Sequence, residues 1–178
     1  MQPFQQRVKR HLLAASLLTI TCSVPTLALA EVPQNLSATV DGKRFESDND
    51  SITYLIPRKG VLNLIAKTKG SSAYPPPKTP VDQLSIICNH FESKPVKFSF
   101  PKAGSPSCEV RFSKGLSKEM MGDPQAEYRL ADGNNQLEIT SVQGKVIEGK
   151  FSFELIEIKT KARLVISGGV FNAEDRQL

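Results

Sequence analysis

Cys108-Glu109-Val110-Arg111-Phe112 alternates apolar and charged residues without a break, and Val96-Lys97-Phe98-Ser99-Phe100 alternates just as strictly. A period of two puts one set of side chains on each face of an extended strand. The same reading extends outward in both directions. Leu36, Ala38 and Val40 alternate with polar neighbours, and Asp41-Gly42 then marks a tight hairpin turn into a strand over 43–46. Residues 51–56 and 61–67 are β-branched and apolar runs separated by Pro57-Arg58-Lys59-Gly60, and a strand over 82–88 follows. Toward the C-terminus, 128–131 runs into the turn Asp132-Gly133-Asn134-Asn135, with 136–142 expected to pair behind it. Strands over 150–158 and 162–171, joined by Lys159-Thr160-Lys161, complete the pattern.

About ten short strands with turn signals between them predict an all-β chain, a single antiparallel β-sandwich or barrel. One strand switches phase. Phe151, Phe153 and Leu155 share a face, whereas Ile156 and Ile158 fall on the other. A bulge or sheet corner near Leu155, or a stretch buried on both faces, would account for this. Helical signals are confined to Ser117, placed to cap one turn over 118–121 that Gly122 stops. Tyr74-Pro75-Pro76-Pro77, within the loop 70–80, predicts extended polyproline geometry, and Pro77-Lys78-Thr79-Pro80 fits a stiff surface loop.

The first thirty residues differ in kind. Arg7, Lys9 and Arg10 precede a mostly apolar stretch over 12–24, too short for a bilayer-spanning helix, which needs about 20 apolar residues. Ala28-Leu29-Ala30 supplies the small-x-small pattern of a signal-peptidase site. Residues 1–30 are therefore read as a signal peptide cut between Ala30 and Glu31, and 31–178 as a single all-β domain. Cys22 raises the alternative of a lipoprotein, but Thr21 before it is a poor fit to the small residue such a site requires. The product is expected to be exported, periplasmic or secreted, without stable membrane insertion.

Cleavage removes three of the 23 Lys/Arg and none of the 18 Asp/Glu, so the formal charge falls from +5 to +2. The sequence pI of 9.2 thus belongs largely to the precursor, and no nucleic-acid partner is expected from bulk charge. Two cysteines remain, Cys88 and Cys108. Cys88 shares phase with Leu84 and Ile86, and Cys108 with Val110 and Phe112, so both thiols face one apolar interior. In an exported chain this predicts a disulfide, closing a loop of about 20 residues worth roughly 3 kcal/mol.

Catalytic signals are sparse. The exported part has one histidine, His90, which on a strand would share a face with Cys88. Nothing around it resembles a nucleophile elbow. Cys88, His90 and Cys108 form a zinc set only with reduced thiols. Glu46-Ser47-Asp48-Asn49-Asp50 lacks the spacing of a calcium loop and reads as a solvated turn. Asn35-Leu36-Ser37 and Asn49-Asp50-Ser51 match the glycosylation pattern, relevant only to a eukaryotic source. Glu127, Glu138, Glu148, Glu154 and Glu157 mostly take outward strand phases. No catalytic, metal-binding or cofactor-binding residues are assigned, and no cofactor is expected.

Two ends of the exported chain carry a resemblance. Ala38-Thr39-Val40-Asp41-Gly42-Lys43-Arg44-Phe45 stands near the start. Ile147-Glu148-Gly149-Lys150-Phe151-Ser152-Phe153 and Val165-Ile166-Ser167-Gly168-Gly169-Val170-Phe171 stand near the end. They resemble a family of bacterial exported β domains of unknown function, which open with a V-x-G-x-x-aromatic hairpin and close with G-x-F-S-F and I-x-x-G-x-F strands. The resemblance implies an antiparallel β fold and brings no catalytic residues. This chain departs from it in lacking a lipid-anchor site, common in the family, and in having Phe45 where Trp is frequent. The motif residues read as structural: Gly42 for positive φ in the turn, Gly149 for a bulge or a close backbone approach, and Phe45, Phe151, Phe153 and Phe171 as core anchors.

The leading functional expectation is a non-catalytic exported β domain that binds a protein or other envelope partner in the periplasm. A lipocalin-like carrier of a small apolar ligand is the alternative, and a hydrolase of envelope glycans or peptides the second alternative.

Overall fold

The computed structural model describes residues 33–100, 107–117 and 122–176. The leader, Cys22, the Ala30–Glu31 junction and the turn expected over 118–121 lie outside the described residues. The described residues belong to one compact unit, Glu31–Leu178.

Eleven strands form among the described residues: β1 Asn35–Val40, β2 Lys43–Ser47, β3 Ile52–Leu55, β4 Gly60–Lys67, β5 Gln83–Phe91, β6 Val96–Lys97, β7 Cys108–Lys114, β8 Ala126–Leu130, β9 Gln136–Gln143, β10 Val146–Glu157 and β11 Arg163–Glu174. They hydrogen-bond in the order β2-β1-β11-β10-β8-β7-β5-β4-β3, with β9 between β10 and β6. Every strand pairing is antiparallel. The sheet twists and coils until its edges meet, giving a nearly closed barrel rather than a sandwich. Phe45 on β2 and Phe112 on β7, five strands apart in the sheet, meet edge to face with centroids 5.7 Å apart.

The seam is closed by a few specific contacts. Tyr54 of β3 pairs in parallel with Asp175, just past β11. The Glu46 carbonyl of β2 accepts the Lys69 amide at 2.6 Å. Gln34, only 3 % exposed, accepts the Glu174 amide at 2.9 Å and donates its own amide to Asn49 Oδ1 at 3.1 Å, an oxygen that also receives the Arg176 guanidinium at 2.8 Å. The segment read as a solvated turn, 46–50, is thus a docking turn. Asp48 Oδ2 also accepts the Gly70 amide at 3.1 Å, which fastens the loop 70–80 to it. That loop opens with turns in which Ser71 and Ala73 bond back to Thr68 and Gly70, and it bends at 74–75 and again at 78–79, so Tyr74-Pro75-Pro76-Pro77 is not one extended polyproline run.

Alternation decides which side chains fill the barrel. Leu84, Ile86 and Cys88 on β5 and Cys108, Val110 and Phe112 on β7 are all buried. Cys88 and Cys108 stand directly opposite each other and are disulfide-bonded, Cα to Cα 4.0 Å. The Asn89 amide bonds the Ser107 carbonyl at 2.9 Å, so this is a non-hydrogen-bonded pair, the closer of the two antiparallel spacings. Such a bond belongs to an oxidising compartment outside the reducing cytoplasm. No helix among the described residues is long and apolar enough to cross a membrane.

Four further local expectations are corrected. The strict alternation of 96–100 yields only the two-residue ladder of β6, although Phe98 is buried and its amide reaches the Leu137 carbonyl at 2.9 Å. His90 does not share a face with Cys88. It is the extra residue of a bulge, at φ 64°, between the pairs Val61–Asn89 and Gly60–Phe91, so Phe91 turns inward and His90 outward. The phase switch expected near Leu155 is not on β10, whose Ile147, Gly149, Phe151, Phe153 and Leu155 all point inward. It is on β11, where Gly168 at φ 60° inserts a residue between the inward sets Leu164, Ile166 and Gly169, Phe171, Ala173.

The fourth correction concerns the turn at 132–135. β8 and β9 do not pair with each other. Both run antiparallel to β10, β8 against Leu155–Glu157 and β9 against Val146–Ser152. They are one long strand broken by an outward excursion over 131–135. Glu154 at the facing position holds that excursion. Its amide donates to Asn135 Oδ1 at 2.9 Å, its carboxylate accepts the Asn134 amide at 3.1 Å, and its carbonyl accepts the Ala131 amide at 2.9 Å. A Cβ on Gly133 would lie 2.5 Å from the Glu154 carboxyl carbon, so a larger residue there would displace that carboxylate. The break lets β8 pair with β7 while β9 pairs with β6.

Candidate functional site

One end of the barrel brings buried aromatic surface and charged groups together. The β1–β2 turn puts Asp41 and Gly42 at φ 46° and 75°, the left-handed pair of a two-residue hairpin. Asp41 then ties the turn to β11. Its amide donates to the Val165 carbonyl and its Oδ1 accepts the Val165 amide, both at 2.9 Å. Opposite, Asp82 opens β5. Its amide donates to Thr68 Oγ1 at 2.9 Å, and its Oδ1 accepts the Gly115 amide at 2.8 Å. Each carboxylate is therefore fixed by a backbone donor from a neighbouring segment.

Between these anchors lies an open depression of about 310 Å³. Its floor includes Phe45, Phe112 and Leu164, each under 10 % exposed, and its rim carries Asp41, Lys43, Arg44, Glu46, Asp82 and Lys114. Arg44 and Glu46 are ion-paired with each other. Lys43 and Lys114 are exposed and make no ion pair or side-chain hydrogen bond. Below the floor Phe112 meets Tyr128, centroids 6.5 Å apart. Burial, then the carboxylates of Glu157, Asp41 and Asp82, pushes the Tyr128 phenol above its ordinary pKa.

The residues weighed for catalysis or metal binding are dispersed. Cys88 and Cys108 are joined to each other, and His90 points outward from its bulge. Among the described residues, no group of three or more His, Cys, Asp or Glu is placed to hold a metal. Glu127, Glu138 and Glu154 pair with Arg111, Lys150 and Arg163 at 3.3–3.4 Å on the outer surface.

The motif residues have packing roles. Phe45, Phe151, Phe153 and Phe171 are buried. Gly149 faces Phe171 across the β10–β11 ladder, and Gly169 faces Phe151. A Cβ on either glycine would sit 2.4 Å from the opposing ring. The two glycines and two rings thus interlock reciprocally, each ring covering a bare backbone.

Sequence reading identified Phe45 and the Asp41-Gly42 turn but not the rim. Lys43, Asp82 and Lys114 lie at the ends of three different strands, and their convergence depends on barrel closure. The one available signal is that each sits where a strand meets a loop. Comparison with known protein families, curated proteins and solved structures finds no match for this chain.

Proposed function

We propose that this protein is an exported, non-catalytic binding domain of the bacterial envelope whose recognition site is the barrel mouth framed by Asp41 and Asp82. The carrying observation is an open depression whose rim carries two carboxylates, Asp41 and Asp82, each held by a backbone amide, above the buried side chains of Phe45, Phe112 and Leu164. Pockets that recognise ligands pair apolar walls with a few fixed polar groups. The disulfide fits an oxidising compartment, and the resemblance to bacterial exported β domains supports the same address. Carriage deep in the barrel is less favoured, because the Phe151 and Phe171 rings are packed down onto glycine backbone.

The test uses isotope-labelled protein expressed with its leader and recovered from the periplasm, mixed with unlabelled periplasmic extract. Amides of Lys43, Phe45, Thr68, Asp82 and Lys114 are expected to shift, while those of Glu148 and Asn172 on the outer wall stay still. Shifts confined to the outer wall, or none at all, would sink the proposal.

A further inference from the structure

We infer that the loop between β4 and β5 is a contact for the surface of an anionic phospholipid membrane, with Tyr74 in the headgroup layer and Lys67, Lys69 and Lys78 on the phosphates; this does not depend on ligand binding at the mouth. The Tyr74 side chain is 96 % exposed, whereas the next most exposed large apolar side chain among the described residues, Val170, is 49 % exposed. Its chain neighbours Ala73, Pro75 and Pro76 are exposed as well. An exposed apolar run of this kind is the informative exception to ordinary burial. The ring is also held out by a clamped backbone. Thr68 and Asp82 close the base of the loop, the Thr68 amide donating to the Asp82 carbonyl at 3.0 Å and the Asp82 amide to Thr68 Oγ1 at 2.9 Å. Gly70 donates its amide to Asp48 Oδ2 at 3.1 Å, Ser71 and Ser51 join hydroxyls at 3.0 Å, and the Ser72 hydroxyl donates to the Asp50 carbonyl at 2.8 Å. Pro75, Pro76 and Pro77 fix their own φ. A side chain presented on such a backbone loses little freedom when it docks.

The charges around the loop decide its partner. Residues 67–80 contain Lys67, Lys69 and Lys78 and no Asp or Glu. All three lysines are exposed and make no ion pair. Lys67 lines one shallow depression together with Pro76 and Pro77, which places it beside the proline run. Three carboxylates stand at the feet of the loop. Asp48 and Asp82 each accept a backbone amide, of Gly70 and Gly115, and Asp50, whose carbonyl takes Ser72, is exposed. An aspartate carries its charge on one methylene and a lysine on four, so the cations reach further out. Tyrosine joins an apolar ring to a polar hydroxyl, which suits the boundary between acyl chains and headgroups. Each lysine near an anionic surface raises affinity about fivefold. An apolar slot on a protein would use the ring and leave the three cations unmatched, whereas a phosphate-bearing surface uses both. The contact is peripheral, a loop tip at headgroup depth.

Flotation of the periplasm-recovered protein with vesicles at low ionic strength tests this, one set made of equal parts phosphatidylglycerol and phosphatidylethanolamine, the other of phosphatidylcholine alone. Binding is expected to the anionic vesicles, and about tenfold or more weakly to the neutral ones. Lys67→Gln, Lys69→Gln and Lys78→Gln combined should weaken it about a hundredfold, and Tyr74→Ser about tenfold. Lys145→Gln, in the turn between β9 and β10, should change it little. Every substituted side chain is exposed, and thermal unfolding checks that the fold is kept. Equal binding to both vesicle sets, binding to neither, or binding that survives Tyr74→Ser would overturn the inference. So would a loop that ignores vesicles while its Ser72 and Tyr74 amides shift with periplasmic extract, which would assign the ring to a protein.

Discussion

Gly169 lies directly opposite Phe151 on the β10–β11 ladder, so close to the ring that no β-carbon fits between them. The mirror relationship holds two residues along the ladder, where Phe171 covers Gly149. This explains why glycines occur in the longest strands of the barrel, where they are normally weakening. The missing side chain is replaced by the partner strand's ring, which buries the exposed backbone.

Gly169→Ala should therefore destabilise the protein by about 1–3 kcal/mol through overpacking. Phe151→Leu makes room, so the double variant should lose less than the two single losses combined, with a coupling of at least about 0.5 kcal/mol. Gly144, at φ 60° with open space around it, serves as the comparison. Gly144→Ala carries only backbone strain and should show no coupling to Phe151. Urea denaturation of the wild type, the three single variants and the two doubles with Phe151→Leu decides it.

Cys88→Ala with Cys108→Ala removes a link across 20 residues. The expected loss is roughly 3 kcal/mol. Neither cysteine should react with a thiol reagent in the folded, unreduced protein. Labelling of both at once without reductant would contradict the bond.

Tyr54, 2 % exposed beside Asp175, has its pKa pushed up to about 12, first by burial and then by that carboxylate. The folded state therefore holds the phenolic proton more tightly than the unfolded chain. Its contribution is fully present below pH 10 and is lost as pH rises through about 12. At pH 11 the loss should be about 1.4 kcal/mol. Tyr54→Phe should flatten the alkaline limb of stability between pH 9 and pH 11 by about that amount. An unchanged limb would refute the assignment.

Asn135→Ala removes the acceptor for the Glu154 amide and the 2.7 Å bond from Asn135 Nδ2 to the Ala131 carbonyl. The unpaired groups should cost about 1–3 kcal/mol. Because they sit where β8 gives way to β9, the Glu154 and Ala131 amides should exchange faster with solvent while Leu84 and Ile86 stay protected. Uniformly faster exchange would mean that the excursion does not act locally.

Much of the fold is legible in the sequence because the period-two pattern acts on neighbouring residues. Cys108 to Phe112 declares its faces by itself, and Asp41-Gly42 declares its turn. What the pattern misses is single-residue insertion. His90 and Gly168 each shift the phase by one, and the shift shows only when the partner strand is known. Partner choice is equally hidden. The turn at Asp132 to Asn135 is a good turn by composition, yet it does not build a hairpin, because β10 is long enough to engage both flanking strands. The mouth is the least legible part. Its lysines and aspartates are ordinary strand-end residues until the sheet curls round and places them on one rim.

The pairing of β1 with β11 has a consequence in time. The first strand pairs at once with β2 but finds its second neighbour only after nearly the whole chain has been made, so no early segment can complete the sheet alone. Such long-range pairing slows folding, since loop closure must precede the contacts that reward it. Until β11 is made, the β1 edge that it covers stays unpaired.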